Sequence, residues 1–156
     1  MNTHRFSDNE LATRWLVSRE THPREAREAW ARGEPAMIRM GIHVEAVRLP
    51  ARFVYVRAGG EDRAAVEGAF RQVGIVRAVI ADAHHRWYYA LVPPGTSAAA
   101  DEPRLACCGV GGYLGVPPTH RVGPPGTYWL LAPPTDEAGL CDLGALRELA
   151  AAAARD

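Results

Sequence analysis

Apolar positions recur along this chain with two different periods, and the changes of period fall at glycine and proline. From Ser7 the spacing is helical. Ser7 is placed as N-cap, Glu10 three residues on completes a capping box, and Phe6 can staple onto Leu11. Leu11, Trp15 and Leu16 then form the predicted inward stripe. Pro23 suits the first turn of a second helix, with Arg24, Glu25, Arg27 and Glu28 outward, Trp30 inward and Gly33 as its end. At Pro35 the period shortens, and β-rich runs are predicted over 36–40, 44–49 and 53–57, split by Gly41 and Pro50. A helix follows over 62–73, with Ala65, Val66, Ala69, Phe70 and Val73 at helical spacing and Gly74 as its stop. Strands are predicted over 76–81, 86–92, 104–108, 112–116 and 127–131, with 96–102 a loose segment. An Ala-rich amphipathic helix comes last, capped by Asp142 and turning Leu143, Leu146, Leu149 and Ala150 inward. The sum is α+β: a mixed β-sheet flanked by helices in a single domain over 1–156. Its parts are a helical pair over about 7–33, a sheet core over about 35–134 and a C-terminal helix over about 142–154.

The segment 107–134 organises the rest. It holds a disproportionate share of the glycines and prolines, yet two apolar, β-branched and aromatic bursts within it read as strands. Between them lie Pro117-Pro118-Thr119-His120 and then the turn Gly123-Pro124-Pro125-Gly126. Proline fixes φ and glycine permits positive φ, so this loop is stiff and shaped. Such a loop either seals the end of a core or presents polar groups to a ligand.

Composition narrows the classes. A chain of 156 residues buries roughly 70% of its unfolded surface as one domain. Net charge is zero and the pI is about 7.0, so long-range steering toward nucleic acid or membrane is absent, while a local patch remains open. All 18 basic residues are Arg, which reads first as the coding bias of a GC-rich genome. The three cysteines, Cys107, Cys108 and Cys141, form no C-x-x-C pair and fit reduced thiols. No basic start precedes an apolar run, and no stretch reaches about 18 apolar residues, so the expectation is a soluble, cytoplasmic protein with no membrane partner.

Gly111, Gly112, Tyr113, Pro117, Pro118, Thr119, His120, Gly126, Tyr128 and Trp129 stand in an order and spacing that carry a resemblance. The chain resembles the N-terminal catalytic domain of bifunctional DNA primase/polymerases, the prim-pol branch of the archaeo-eukaryotic primase superfamily. The resemblance implies a prim-pol-like α/β domain whose active members are metal-dependent nucleotidyl transferases. In those, two carboxylates on one strand hold Mg²⁺ or Mn²⁺, a Gly-Gly-x-His motif contacts phosphate, and a third Asp completes the site. The matching positions here depart from that pattern. Glu45 stands as one carboxylate, while its partner position offers Val47 or Arg48. Ala83-His84 replaces Gly-Gly, with Arg86 or Trp87 at the His position, and no carboxylate stands between Arg104 and Tyr113. The resemblance therefore implies a catalytically degenerate domain acting as an accessory module that binds nucleic acid, nucleotide or a protein partner. Two alternatives stand beside it. One is an active enzyme with displaced carboxylates (Glu45, Asp82, and Asp101 or Glu102), which alone would need Mg²⁺ or Mn²⁺. The other is a structural or protein-interaction subunit.

The remaining chemistry is sparse. Asp82, His84, His85, Cys107 and Cys108 include good metal ligands, but adjacent strand residues point to opposite faces and no ligand spacing recurs. His84 and His85 read as a polar turn, and the thiols as small hydrophobes. The run Gly109-x-Gly111-Gly112 precedes no helix and is not a phosphate loop. Trp87, Tyr88 and Tyr89 beside Arg86 either form a base-stacking platform or divide between core and surface. The ligand-binding candidates are Arg86, Trp87, Thr119, His120 and Tyr128, with Glu45 as the catalytic carboxylate only in an active enzyme and no metal ligand assigned.

Overall fold

The first helix begins where its cap predicts. In the computed structural model, which describes residues 7–100 and 104–153, α1 runs Asp8–Val17, and the Ser7 hydroxyl accepts from the Glu10 N–H at 3.1 Å. The proposed Phe6 staple lies outside the described residues. Of the stripe expected on α1, Leu16 is buried and Trp15 packs half-buried against the core, while Leu11 is 40% exposed and Ala12 and Val17 are buried instead. Thr13, on the same helix, meets Thr119 hydroxyl to hydroxyl at 2.9 Å. α2 (Pro23–Ala31) starts on its proline and buries Ala26 and Trp30, whose Nε1 donates to the Val116 carbonyl at 2.8 Å.

Two antiparallel sheets follow. A five-stranded sheet has the order β5-β2-β4-β3-β7, built from β2 (Glu45–Pro50), β3 (Val79–Ala81), β4 (Trp87–Val92), β5 (Ala106–Cys108) and β7 (Tyr128–Leu131). A two-stranded sheet pairs β1 (Ala36–Arg39) with β6 (Tyr113–Val116). The parallel component is the bridge between Arg77 and Ala132. This is the expected α+β class. α4 (Arg63–Gln72) is capped by Asp62, whose carboxylate accepts from Ala65 N–H, and α6 (Leu143–Ala151) is capped the same way by Asp142 onto Ala145. The Asp142 cap sits where the sequence placed it, and Asp62, read as the start of its helix, is the N-cap.

Residues 53–57 are not a strand. They belong to α3 (Ala51–Ala58), which packs between α4 and α6. The run Phe53-Val54-Tyr55-Val56 has strand propensity, but Phe53 and Val54 are both buried while Val56 is exposed, a helical rather than an alternating pattern. Pro50 supplies the N-cap turn, and Gly59 at φ +75° ends the helix. The segment from Thr96 is also shorter on disorder than expected, because α5 (Thr96–Ala99) forms one turn there.

The two faces of the large sheet differ. Antiparallel register sets Glu45 opposite Val92, Val47 opposite Ala90 and Leu49 opposite Tyr88, and this face carries the helices: Tyr88 meets Phe70 of α4 and Tyr55 of α3 edge-on. The other face is open only at its Trp87 end: Ala46, Leu91, Ile80 and Trp129 on it are buried, while Arg48, Trp87, Tyr89 and, from β5, Ala106 and Cys108 reach solvent. Among the described residues no helix is long and apolar enough to cross a membrane.

Candidate functional site

The proline-stiffened loop closes the core. β6 and β7, which flank it, belong to different sheets, so 117–127 is a crossover rather than a hairpin. Val116, Pro117, Pro118 and Thr119 are all buried. Trp129 lies beneath, its Nε1 donating to the Pro117 carbonyl at 3.1 Å and its N–H to the Arg121 carbonyl at 2.8 Å. Two arginines then fasten the loop to the helices. Arg121 donates through Nη2 to the Gly33 carbonyl at the end of α2 (3.2 Å) and through Nη1 to the Pro125 carbonyl (3.0 Å). Arg63, on α4, donates to the carbonyls of Val122 (2.6 Å) and Leu130 (3.2 Å) while pairing with Glu67 at 2.7 Å. The loop carbonyls of Val122 and Pro125 are thus met by a guanidinium from outside the loop and by one within it, respectively. Of the two roles open to this loop, these contacts are those of a seal.

The five ligand-binding candidates fall in three places. Thr119 is buried, with its hydroxyl shared between Thr13 and the Asn9 carbonyl (3.2 Å), so it anchors α1. Its neighbour His120 is exposed on the rim of a cavity of about 300 Å³ that also touches Asn9, Arg27 and Trp30. Tyr128 is buried on the helix-bearing face. Its hydroxyl meets His85 Nε2 at 3.2 Å and its ring lies 5.3 Å beneath the Arg63 guanidinium carbon. Burial pushes the Tyr128 phenol up, against the pull of Arg63. Thr119, His120 and Tyr128 therefore do not line one pocket.

Arg86 and Trp87 stay together at the start of β4. The turn before them is built by Asp82, whose carboxylate accepts from the N–H groups of His84 and Arg86, with His85 at φ +55°. This is the polar turn expected at His84-His85. Trp87 and Tyr89 project from the open face while Tyr88 is buried on the other, so the aromatic run divides by alternation. On the open face the Arg48 guanidinium stacks over the Trp87 ring, 4.0 Å from its centroid. Arg52 and Arg104 both lie against Phe53, at 4.8 and 5.9 Å from its ring centre, and Arg104 also donates to the Ala150 carbonyl. Arg48 and the exposed Arg86 thus flank Trp87, whereas Arg52 and Arg104 are turned to Phe53 of α3 and, for Arg104, to α6. The sequence shows Arg48 and Trp87 but not their contact, because the register that joins them depends on which strands pair.

Glu45 is on the opposite face from Trp87 and Ala106, not on the same one, because it is an odd number of residues from Arg48 and Pro50, which pair with that side. It is 1% exposed. Oε2 accepts from the Gly95 N–H at 2.9 Å and Oε1 from the Ser97 N–H at 2.8 Å. Burial pushes its carboxyl up, but these two amide bonds and the Ser97 hydroxyl outweigh that and hold it below the usual range. The carboxylate is the N-terminal anchor of α5. Asp101 and Glu102 lie outside the described residues. Among the described residues, no three His, Cys, Asp or Glu side chains gather in a way that could hold a metal ion. Cys107 and Cys108 have their thiols pushed up by burial and then by the Glu45 charge, and Cys141, buried, is pushed up to about 12.

His43 was missed. It is buried, donates through its Nε2–H to the Trp15 carbonyl (2.9 Å), and packs edge-on to Trp15 at 4.7 Å, fastening α1 to the β1–β2 turn. A lone His between Ile42 and Val44 gives no signal of this in sequence. Compared with known proteins, the chain matches no family model, no curated protein and no solved structure.

Proposed function

We propose that this chain is a non-catalytic, prim-pol-like binding module that holds single-stranded nucleic acid on the open sheet face around Trp87. The observation that carries the reading is the Arg48–Trp87 stack at 4.0 Å, with the exposed Arg86 next to it in the chain. Bases stack on aromatic rings and on guanidinium planes, at about 1–3 kcal/mol per base, and neighbouring arginines meet the backbone phosphates. The occupation of Glu45 favours the non-catalytic form. Both of its oxygens serve the α5 backbone, and freeing them for a cation would break two charge-assisted, part-buried hydrogen bonds from the Gly95 and Ser97 N–H groups.

The test is a fluorescence-anisotropy titration of a labelled oligothymidylate at low salt, run beside a primer-extension assay with Mg²⁺ or Mn²⁺. The reading expects saturable binding that weakens about tenfold or more in Trp87→Ala, and no template-directed incorporation. Template-directed synthesis that disappears in Glu45→Gln would overturn the non-catalytic form. Absence of oligonucleotide binding at low salt would overturn the ligand.

A further inference from the structure

β5 and β6 leave a two-residue turn and then part company. The Gly112 N–H donates to the Gly109 carbonyl at 3.0 Å around Val110-Gly111, as in a hairpin, yet β5 goes to the large sheet and β6 to the small one. A cavity of about 450 Å³ fills the angle. Its walls are Ala106–Cys108 on one side and Tyr113–Gly115 on the other, and its floor is Ala46, Arg48 and Tyr89.

Antiparallel pairing alternates which residues turn their backbone groups to the neighbour. In the small sheet the Met40 N–H donates to the Gly112 carbonyl, while the Arg39 N–H turns away to the Glu20 carboxylate at 3.1 Å. Residues 36, 38 and 40 therefore face β6, and on β6 it is Tyr113 and Gly115 that turn their N–H and C=O to the open side. In the large sheet the Leu91 N–H donates to the Ala78 carbonyl, toward β3, which turns Ala90 and Val47 to each other. Ala46 and Arg48 then face β5, Ala106 and Cys108 answer them, and Cys107 points outward. Two strand edges thus open into one cavity. Among the described residues the outward groups of Cys107, Tyr113 and Gly115 have no backbone partner, and the Tyr113 carbonyl receives only the Cys108 thiol, at 3.8 Å.

We propose that this cleft receives an extended, acidic peptide segment of a partner protein, which adds as a strand along β6 and sets a carboxylate against Arg48. Strand addition supplies main-chain hydrogen bonds for affinity, and alternate side chains supply selectivity. Charge decides the occupant: among the described residues Arg48 is the one charged side chain lining the cavity, and the Tyr89 ring stands beside it on the floor. An unpaired edge left open is an aggregation hazard that proteins normally blunt. Here Tyr113, Met37 and Val110, the last 85% exposed, border it with apolar surface instead. Arg48 also belongs to the Trp87 platform, so the peptide displaces an oligonucleotide held there, but the cleft does not depend on that platform having a ligand.

The experiment uses a fluorescein-labelled eight-residue peptide alternating Val and Glu, its Val/Lys counterpart, and three proteins: wild type, Gly115→Ala and Gly115→Pro. A Cβ at Gly115 would meet only ordinary contacts, Met37 Sδ at 3.7 Å and Pro35 Cβ at 3.8 Å, so the Ala variant keeps fold and N–H. The Pro variant deletes an N–H that faces outward and leaves the β1–β6 ladder intact. The expected result is saturable binding of the Glu peptide, at least tenfold weaker binding of the Lys peptide, retention in Gly115→Ala and loss in Gly115→Pro. In wild-type protein the amide exchange of Cys107 and Gly115 slows on adding the Glu peptide, a readout that holds should the Pro variant fail to fold. Four outcomes overturn the proposal: no binding of the Glu peptide, equal binding of both peptides, equal binding in Gly115→Pro, or unchanged exchange. A concentration-dependent dimer that Gly115→Pro abolishes would assign the edge to a second copy of the chain instead. Oligonucleotide binding lost in Gly115→Pro without any peptide binding would assign it to nucleic acid.

Discussion

The Arg48 guanidinium lies over the Trp87 ring although the two residues are not cross-strand partners. Arg48 is registered opposite Tyr89 and Trp87 opposite Pro50, so the stack is the diagonal contact that long side chains reach on one sheet face. Because Pro50 has no long side chain to cover the indole, Arg48 takes that space. This places a cation and a ring together at the corner of the sheet where the exposed Arg86 also stands.

That grouping predicts a salt dependence. The logarithm of oligonucleotide affinity falls as the logarithm of salt concentration rises. Arg48→Ala lowers both affinity and slope, whereas Trp87→Ala lowers affinity and leaves the slope unchanged. Titrations at three salt concentrations read both.

Glu45 carries a pH-dependent share of stability. Its folded-state carboxyl lies below the reference value of 4.5, so its contribution is complete above that pH and is lost as pH falls through the lower folded value. Urea midpoints measured from pH 6 down to pH 3 fall more steeply for wild type than for Glu45→Gln. Glu45→Ala at pH 7 costs about 1–3 kcal/mol through the two stranded N–H groups of the α5 turn.

His43 acts at higher pH with a related sign. Burial holds its imidazole below the reference 6.5 against the Trp15 carbonyl, so the unfolded chain binds the proton first and stability declines as pH drops below 6.5. Its Nδ1 is buried without a partner. Thermal melts between pH 8 and pH 5 show this decline in wild type, and His43→Leu removes it.

The seal predicts a graded loss. Arg121→Ala strands the Gly33 and Pro125 carbonyls and is expected to cost about 1–3 kcal/mol. Tyr128→Phe removes only the His85 contact and is expected to cost about 0.5–1.5 kcal/mol. Both are read from urea midpoints.

Local rules were legible wherever the chemistry was local. Ser7 and Asp142 cap their helices as their sequence positions announce, Pro23 opens α2, and the strand-rich bursts around Tyr113 and Tyr128 are strands. What failed was decided at a distance. Phe53-Val54 is helical because α4 and α6 receive it. The candidate site suffered most. Thr119 and His120 border one cavity, yet a crossover between two sheets parts them from Tyr128, and Glu45 and Trp87 lie on opposite faces by the parity of a register no sequence pattern reveals.

The most direct measurement of the central claim is photocrosslinking of a 5-iododeoxyuridine oligonucleotide to the protein, with the attached peptide identified by mass spectrometry. The account predicts attachment at Trp87 or Tyr89 on the open sheet face. Attachment confined to the loop at His120 or to the helix-bearing face at Tyr128 would contradict it.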